Sequence, residues 1–316
     1  MIDFRYHLVS ILSFFLALAV GIALGAGPLK GTIPDTITKE VTSLRSDKAA
    51  LNSQLSTANA GTRARDAYIT ATEKSVLAGR LAGQTVDLVV LPGADKGLVS
   101  TLKSTLVLAS ATIGTTVTLD ASWAASDMAA TSDRIATEVS SALGLPAGTG
   151  SSLPLVDQAL AGTLRRTGGA AATTTALKAF TDAGLLHADA DVPAAANAFV
   201  VVGAPVVDQV QATRDAEARA YASVAAALAA AGGPTVLASD VGVTGPADNT
   251  TSVVEVARGS SSLTHGLSTV DDIGVPLGQA TVVIALLALA SGTVGNYGLS
   301  GDASAVFPVV PGLTTP

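Results

Sequence analysis

The segment TVDLVVLPGADKGLVSTLKSTLVLASATIGTTVTL, from Thr85 to Leu119, decides the fold class of this chain. Thr85–Leu91 is a mainly β-branched and aliphatic run that ends at a Pro-Gly pair, which is typical of a buried strand. A helix with one apolar face follows, because apolar residues recur at spacings of four and three, at Leu98, Leu102, Leu106 and Ala109. Thr115–Leu119 predicts a second strand. A strand, a helix and a strand in this order form a βαβ unit, so the two strands are expected to be parallel.

A second unit of the same shape follows in the other half of the chain. Ala198–Gly203 predicts its first strand, an Ala-rich segment from about Thr213 to Ala230 predicts its helix, and Pro234–Ala238 predicts its second strand. One further strand is predicted at Ser252–Ala257. The order matches that of the first unit, but any α/β sheet of this composition would look similar, so the repeat is only suggestive of a duplication.

The region between the two units is predicted to be helical. Apolar spacing indicates helices at Met128–Leu143, Ser152–Arg165 and Thr173–Leu185, with no strand between them. We therefore predict an α/β domain over residues 79–316, with a mostly parallel sheet of βαβ units and a helical insertion near residues 150–190.

Toward the N-terminus, Leu8–Leu29 contains no Asp, Glu, Lys or Arg. A helix needs about 20 apolar residues to cross a bilayer, so residues 8–29 predict a transmembrane helix. A cleavable signal peptide is the alternative, because Ala23-Leu24-Gly25 offers a small-x-small site. The short tail of residues 1–7 favours a cytoplasmic N-terminus, with the bulk of the chain outside the cell membrane. A second uncharged run, Gly278–Ala290, is too short to span a bilayer and predicts a buried helix.

Residues 30–78 predict a coiled coil. Apolar residues there alternate at spacings of four and three, which is typical of the a and d positions of heptads. The predicted interface is formed by Ile37, Val41, Leu44, Lys48, Leu51, Leu55 and Ala58. A Lys at an a position favours a dimer over higher oligomers, so we expect a homodimer or a partner's coiled coil on this face. A single amphipathic helix lying on the following domain is the alternative.

Composition excludes several classes of function. The net charge is −7 and no cluster of Lys or Arg is present, so a nucleic-acid partner is not expected. The chain has no Cys, which excludes disulfides, thiolate metal sites and a cysteine nucleophile. Hydrophobic residues make up 48% of the chain, which is ample for a large core.

Four residues are candidates for lining a crevice, because α/β folds bind ligands outside the carboxyl ends of their strands. Pro92 and Gly93 follow the first predicted strand, while Asp120 and Asp240 end two others. The full Gly-x-Gly-x-x-Gly pattern is absent, so no nucleotide site is predicted. Capping of the following helix is the favoured role for the two aspartates.

Other polar residues carry weaker signals. His187, Asp189 and Asp191 alternate and would share one face of an extended segment, which is a weak metal site; a solvated loop is the favoured interpretation. Ser100 and Lys103 match the Ser-x-x-Lys pattern without its companion motifs. No nucleophile, base and oxyanion site come together, so no catalytic residue, no cofactor and no enzymatic activity are predicted.

The chain resembles the actinobacterial MctB family over its full length. The N-terminal residues that carry the resemblance are Asp3-Phe4-Arg5-Tyr6-His7, Val9-Ser10, Phe15–Ala19, Gly21, Leu24-Gly25 and Gly27-Pro28-Leu29. The C-terminal residues are Val270-Asp271-Asp272, Gly278-Gln279 and Asn296-Tyr297-Gly298. The start of the chain is the most specific portion, and the middle matches mainly in pattern.

The resemblance implies two functions, which stay open at this point. The family is described as acting in copper homeostasis and transport, and copper enters as a ligand through this resemblance only. SteB-like relatives are linked instead to cell separation, where an anchored coiled-coil scaffold meets an envelope or peptidoglycan-hydrolase partner. Copper(I) prefers thiolates and thioethers, and the exported region has no Cys and only Met128, so the residues favour the scaffold. The predicted helices and buried strands do not match the amphipathic strands of a transmembrane β-barrel, so a pore is disfavoured.

Overall fold

The computed structural model describes residues 4–26, 33–145, 152–190, 195–208, 210–240 and 249–310. The chain divides into two compact units, Met1–Arg65 and Asp66–Pro316. The first unit is helical. Helix α1 spans Phe4–Ala26, and helix α2 spans Ile33–Leu77, so its last residues belong to the second unit.

Helix α1 is long and apolar enough to cross a membrane. An 18-residue window within its segment Phe4–Gly25 has a mean hydropathy of 2.5, and none of that window is buried within the protein. About 20 apolar residues are sufficient for a membrane span. The predicted N-terminal apolar helix is therefore confirmed, and α1 is a membrane-anchoring helix.

The second unit is an α/β domain built on a seven-stranded sheet. In chain order its elements are β1 Thr85–Val90, α3 Lys96–Leu108, β2 Thr112–Leu119, α4 Ala129–Leu143, α5 Leu155–Leu164, α6 Gly169–Asp182, β3 Leu186–Ala188, β4 Ala198–Gly203, β5 Val206–Val207, α7 Gln211–Ala230, β6 Thr235–Ser239, β7 Thr250–Thr251, α8 Val253–Arg258, β8 Leu267–Val270, α9 Pro276–Ala290 and β9 Asn296–Tyr297. The strand order in the sheet is β3-β2-β1-β4-β6-β8-β9, and β5 pairs with β7 separately. Only the pairing of β2 with β3 is antiparallel within the described seven-stranded sheet, so the predicted mostly parallel sheet is confirmed.

Both faces of the sheet are covered, because successive side chains of a strand point to opposite faces. Val201 of β4 lies in a core shared with helices α4 to α8, whereas its neighbour Val200 lies in a core shared with α3 and α9. Leu77, at the end of α2, belongs to this second core. Most of α9 is buried there, which confirms the prediction of a buried helix for the uncharged run near the C-terminus.

One predicted element is wrong. Residues 252–257 are not a strand, because Val253–Arg258 forms helix α8. The Ser252 hydroxyl accepts a hydrogen bond from the backbone N–H of Glu255 at 3.3 Å. A Ser followed three residues later by a Glu is the sequence pattern of a capping box, which starts a helix despite the β-branched residues that follow.

Candidate functional site

The carboxyl edge of the sheet contains the residues that the sequence assigns to a crevice. The parallel strands run in the order β2-β1-β4-β6-β8-β9, so the chain order reverses between β1 and β4, where open α/β sheets commonly bind ligands. Pro92 and Gly93 follow β1 at this point. A Cβ on Gly93 would lie 3.6 Å from the Cβ of Ala204, which follows β4, so the two loops are in contact. The nearby N-terminus of α3 is already capped by Asp95, whose carboxylate accepts the Leu98 N–H at 2.9 Å.

Asp120 and Asp240 lie on this edge but are not neighbours. Strands β1 and β4 separate β2 from β6, and strands are about 4.8 Å apart, so the two strand ends are about 14 Å apart. Asp120 occupies the N-cap position of a short 3-10 turn, Ala121–Trp123, and its side chain makes no capping hydrogen bond. Its Oδ2 lies 3.4 Å from Nε2 of His187 instead. The four crevice candidates therefore share an edge without forming one pocket.

Asp240 lies beside Asp272, a residue to which the sequence prediction gave no role of its own. The two residues form an isolated backbone bridge between the ends of β6 and β8. A Cβ on Gly274 would lie 2.7 Å from Oδ2 of Asp240, and a Cβ on Gly278 would lie 2.6 Å from Oδ1 of Asp272. The Asp240 carboxyl group thus lies directly over a glycine that precedes α9, and the Asp272 carboxyl group lies over one in the first turn of α9.

The Asp272 side chain is buried, and neither of its carboxyl oxygens has a hydrogen-bond partner among the residues that the structure describes. Burial, together with the negative charges of Asp271 and Asp240, raises the pKa of Asp272 to about 6. A carboxyl group without partners is costly to ionise in such a place, so it takes up a proton near neutral pH more readily than an exposed one.

Arg258 is the centre of a buried ionic network at the same edge. Its Nη1 donates to Oδ2 of Asp271 and Oδ1 of Asp302, both at 2.7 Å, and its Nη2 donates to the Tyr297 carbonyl at 2.7 Å. Gly298 follows Tyr297 with φ 136°, and a Cβ there would lie 2.0 Å from the Asp271 carboxylate. The network joins α8, β8 and β9, and it contains two of the C-terminal segments that carry the family resemblance. Sequence patterns did not find Arg258, although it is the one basic residue of an otherwise mainly aliphatic helix.

His187 lies on strand β3, where the sequence interpretation placed a solvated loop. Residues Leu186–Ala188 pair antiparallel with the end of β2, which accounts for the difference. Oδ1 of Asp189 accepts a hydrogen bond from the Thr116 N–H at 2.8 Å, so this oxygen is already used in a contact with strand β2. Asp191 lies outside the described residues. Within the described ranges, no group of three His, Cys, Asp or Glu side chains could hold a metal ion.

The predicted coiled-coil residues all lie on α2 with exposed side chains. The five apolar ones, Ile37, Val41, Leu44, Leu51 and Leu55, are between 39% and 66% exposed. Lys48 and Ala58 are exposed as well. The structure contains a single chain, so helix pairing through this face stays a prediction.

Two further buried aspartates have no counterpart in the sequence prediction. Asp157 accepts hydrogen bonds from Nε1 of Trp123 at 3.0 Å and from the Ser223 hydroxyl at 2.5 Å. Burial raises the pKa of Asp157 to about 7, although both hydrogen bonds oppose this rise. Asp87, inside β1, accepts the Thr115 N–H at 2.7 Å, and burial raises its pKa to about 7 too. Apolar periodicity assigns polar residues to the exposed face of a strand or helix. Sequence patterns of this kind therefore do not predict buried aspartates.

Comparison with known proteins gives a consistent result over nearly the whole chain. A family described as "Copper transport outer membrane protein, MctB" matches residues 1–308. The protein named Copper transporter MctB from Mycobacterium tuberculosis strain H37Rv is 30% identical over 97% of this chain and 99% of its own length. The protein of the same name from Mycobacterium leprae is 29% identical over the same shares.

Proposed function

This chain belongs to the MctB family, and from that premise we propose that it is a membrane-anchored component of copper homeostasis in the cell envelope, with no catalytic activity of its own. The family match over residues 1–308, together with the anchoring helix α1, carries this proposal. The relatives named copper transporters align with 97% of this chain. The proposed copper function therefore refers to the complete chain and not to a single domain.

The proposed topology has the N-terminus in the cytoplasm and the unit Asp66–Pro316 on the outer side of the cell membrane. The family description refers to the outer membrane, which agrees with a chain that acts beyond the cytoplasm. A reporter enzyme that is active only outside the cytoplasm, fused after Pro316, tests this orientation. An inactive reporter on a full-length, membrane-bound fusion would contradict it.

Copper(I) binding by the chain alone is not part of the proposal. Copper(I) prefers thiolate and thioether ligands, whereas the sequence has no Cys and only two Met residues, Met1 and Met128. Imidazole and carboxylate groups suit copper(II). His187 and Asp120 supply one of each, with 3.4 Å between Nε2 and Oδ2, which is a loose pair on an exposed edge. The proposed role is therefore to organise copper handling with partners.

A second candidate function is an envelope scaffold that regulates peptidoglycan hydrolysis and cell separation. The observation that favours it is the exposed apolar face of α2, which fits a parallel coiled coil with a second copy of the chain or with a partner. In a parallel homodimer the heptad places Glu40 of one helix opposite Arg45 of the other, an oppositely charged pair at flanking positions. Because α1 precedes α2 in every copy, anchoring in one membrane also favours the parallel arrangement.

Deletion of the gene separates the two functions. We expect increased sensitivity to copper with normal separation of daughter cells if copper homeostasis is the role. Chains of unseparated cells with normal copper sensitivity would contradict the copper proposal and favour the scaffold. Complementation with a variant that carries Leu44→Asp and Leu51→Asp then tests whether the apolar face of α2 is needed for the phenotype.

A further inference from the structure

A cleft of about 380 Å³ lies among helices α4, α5 and α7, away from the carboxyl-edge residues described above. Its wall is mainly apolar, with Leu145, Leu153, Leu155 and Ala230 among its residues. A Cβ on Gly162 of α5 would lie 2.6 Å from Cδ1 of Leu145, so the glycine leaves the space that this side chain occupies. Four polar residues interrupt the apolar wall, namely Ser140, Gln158, Arg165 and Thr167.

Two of these polar residues have hydrogen-bond donors without partners. Ser140 is 5% exposed, and its Oγ has no partner in the described part of the chain. Nε of Arg165 is also buried without a partner there. Buried polar groups in native proteins are nearly always paired with protein groups or ordered water, so these two groups in one cleft wall can donate to an acceptor that enters the cleft.

Arg165 interacts electrostatically with the buried Asp87 carboxyl group but forms no direct ion pair with it. The described residues include no carboxylate oxygen within ion-pair distance of its guanidinium. The guanidinium carbon lies 4.3 Å from the centre of the Phe199 ring, and Nη2 donates to the Leu228 carbonyl at 3.3 Å. These contacts hold the side chain in place and leave the charge available to an anion.

We propose that this cleft binds a small carboxylate with a short apolar chain. Both unpaired groups can donate a hydrogen bond, and the planar guanidinium matches the geometry of a carboxylate. At about 30 Å³ for each water-sized group, a volume of about 380 Å³ holds roughly a dozen non-hydrogen atoms. The ligand is therefore of the size of a medium-chain fatty acid, with its carboxylate between Ser140 and Arg165 and its chain against the leucines.

Hexanoate is the probe for a direct test, because it is soluble in water and carries both features. The full-length protein in lipid nanodiscs is titrated with hexanoate by calorimetry, with empty nanodiscs as the blank. We expect saturable binding of one hexanoate per chain, and binding of 1-hexanol at least tenfold weaker. Failure of hexanoate to saturate, or equal binding of the alcohol, would overturn the proposal.

Variants locate the binding in this cleft. Ser140→Ala removes one donor and is expected to weaken hexanoate binding about threefold to tenfold without lowering the unfolding temperature. Ala230→Leu, at an exposed position of the wall, is expected to abolish binding by filling the cleft. The matched controls are Ser262→Ala and Ala216→Leu in a neighbouring cleft, and both are expected to bind as the parent protein does. Parent-like binding by Ser140→Ala and Ala230→Leu together would place any hexanoate elsewhere and refute the assignment.

Discussion

The contribution of a buried ionisable residue to the stability of the domain depends on its ionisation state. The Arg258 side chain is 3% exposed and has two carboxylates and a backbone carbonyl as partners, so loss of both carboxylates would leave an uncompensated buried charge. Asp157, by contrast, has only neutral donors, from Trp123 and Ser223. The Arg258 network depends on ionised carboxylates, while burial favours the protonated form of Asp157 although its two hydrogen bonds favour the ionised form.

The stability of the protein is expected to fall as pH rises from about 4 to 7. The pKa of Asp157 is about 7 in the folded protein against 3.8 for a free side chain. A raised acid pKa means that the folded state binds the proton more tightly, so its contribution is full below the lower value and is lost as pH rises through the higher one. Asp87 and Asp272 have raised pKa values and act in the same direction.

Asp157→Asn tests this expectation. The amide cannot ionise, so the variant should lose much less stability than the parent protein between pH 5 and pH 8. The difference should be up to about 3 kcal/mol, because about two units of the pKa shift lie above pH 5 and each is worth roughly 1.4 kcal/mol. Thermal unfolding at the two pH values measures the effect. Asp127→Asn, at an exposed position, is the control and should behave as the parent. Identical pH dependence in the Asp157→Asn variant and the parent would show that Asp157 stays ionised.

Gly298 provides a second test of the buried ionic network. Any side chain there would meet the Asp271 carboxylate, and φ 136° is unfavourable for residues other than glycine. We expect Gly298→Ala to destabilise the domain by about 2–4 kcal/mol, since it combines backbone strain with displacement of a buried charged group. Gly301→Ala is the matched control, because nothing lies within 4 Å of its added Cβ. Urea unfolding that gives equal stabilities for the two variants would contradict this role of Gly298.

At the scale of elements, periodicity was a good guide where one face of an element is buried. Ala198–Gly203 was predicted with its observed bounds, because a fully buried parallel strand is a continuous apolar run. Strand β8 was missed, since it is only four residues long and two of them are Ser and Thr. The helix α8 was mistaken for a strand because its Val residues outweighed a capping box. The type of a short element is determined by local hydrogen bonds, and these cannot be predicted from the composition of a few residues.

Helix α2 carries the prediction that belongs to this scale. Leu44→Asp together with Leu51→Asp would place charges on the apolar face, so any dimer that forms through it should dissociate. Sedimentation of the full-length protein in detergent measures the change from dimer to monomer. The matched control is Ser46→Asp with Ser53→Asp, which adds the same charge on the opposite side of the helix. A parent protein that is already monomeric, or a dimer that survives the leucine changes, would contradict self-pairing through this face.

For the whole molecule, the α/β class and the anchoring helix followed from the sequence, whereas the strand order did not. The order β3-β2-β1-β4-β6-β8-β9 depends on which strands pair, and local patterns do not encode pairing. Asp120 and Asp240 were expected in equivalent places, and they are, but strands β1 and β4 lie between them. Candidate sites predicted from strand ends alone therefore identify the correct edge without identifying which residues meet.

The number of residues in the whole chain that could ligate copper(I) leads to the last prediction. With no Cys and with two Met residues in the entire sequence, one chain does not supply the set of soft ligands that tight copper(I) binding requires. We expect the purified full-length protein to lose copper(I) to a chelator of moderate affinity. His187→Ala should leave the unfolding temperature in copper almost unchanged, because the imidazole and Asp120 form only a loose, exposed pair. Copper(I) retained at one ion per chain through the competition would contradict a purely organising role and would require ligands contributed between copies of the chain. In that case the Leu44→Asp and Leu51→Asp variant should lose copper as it loses its partner.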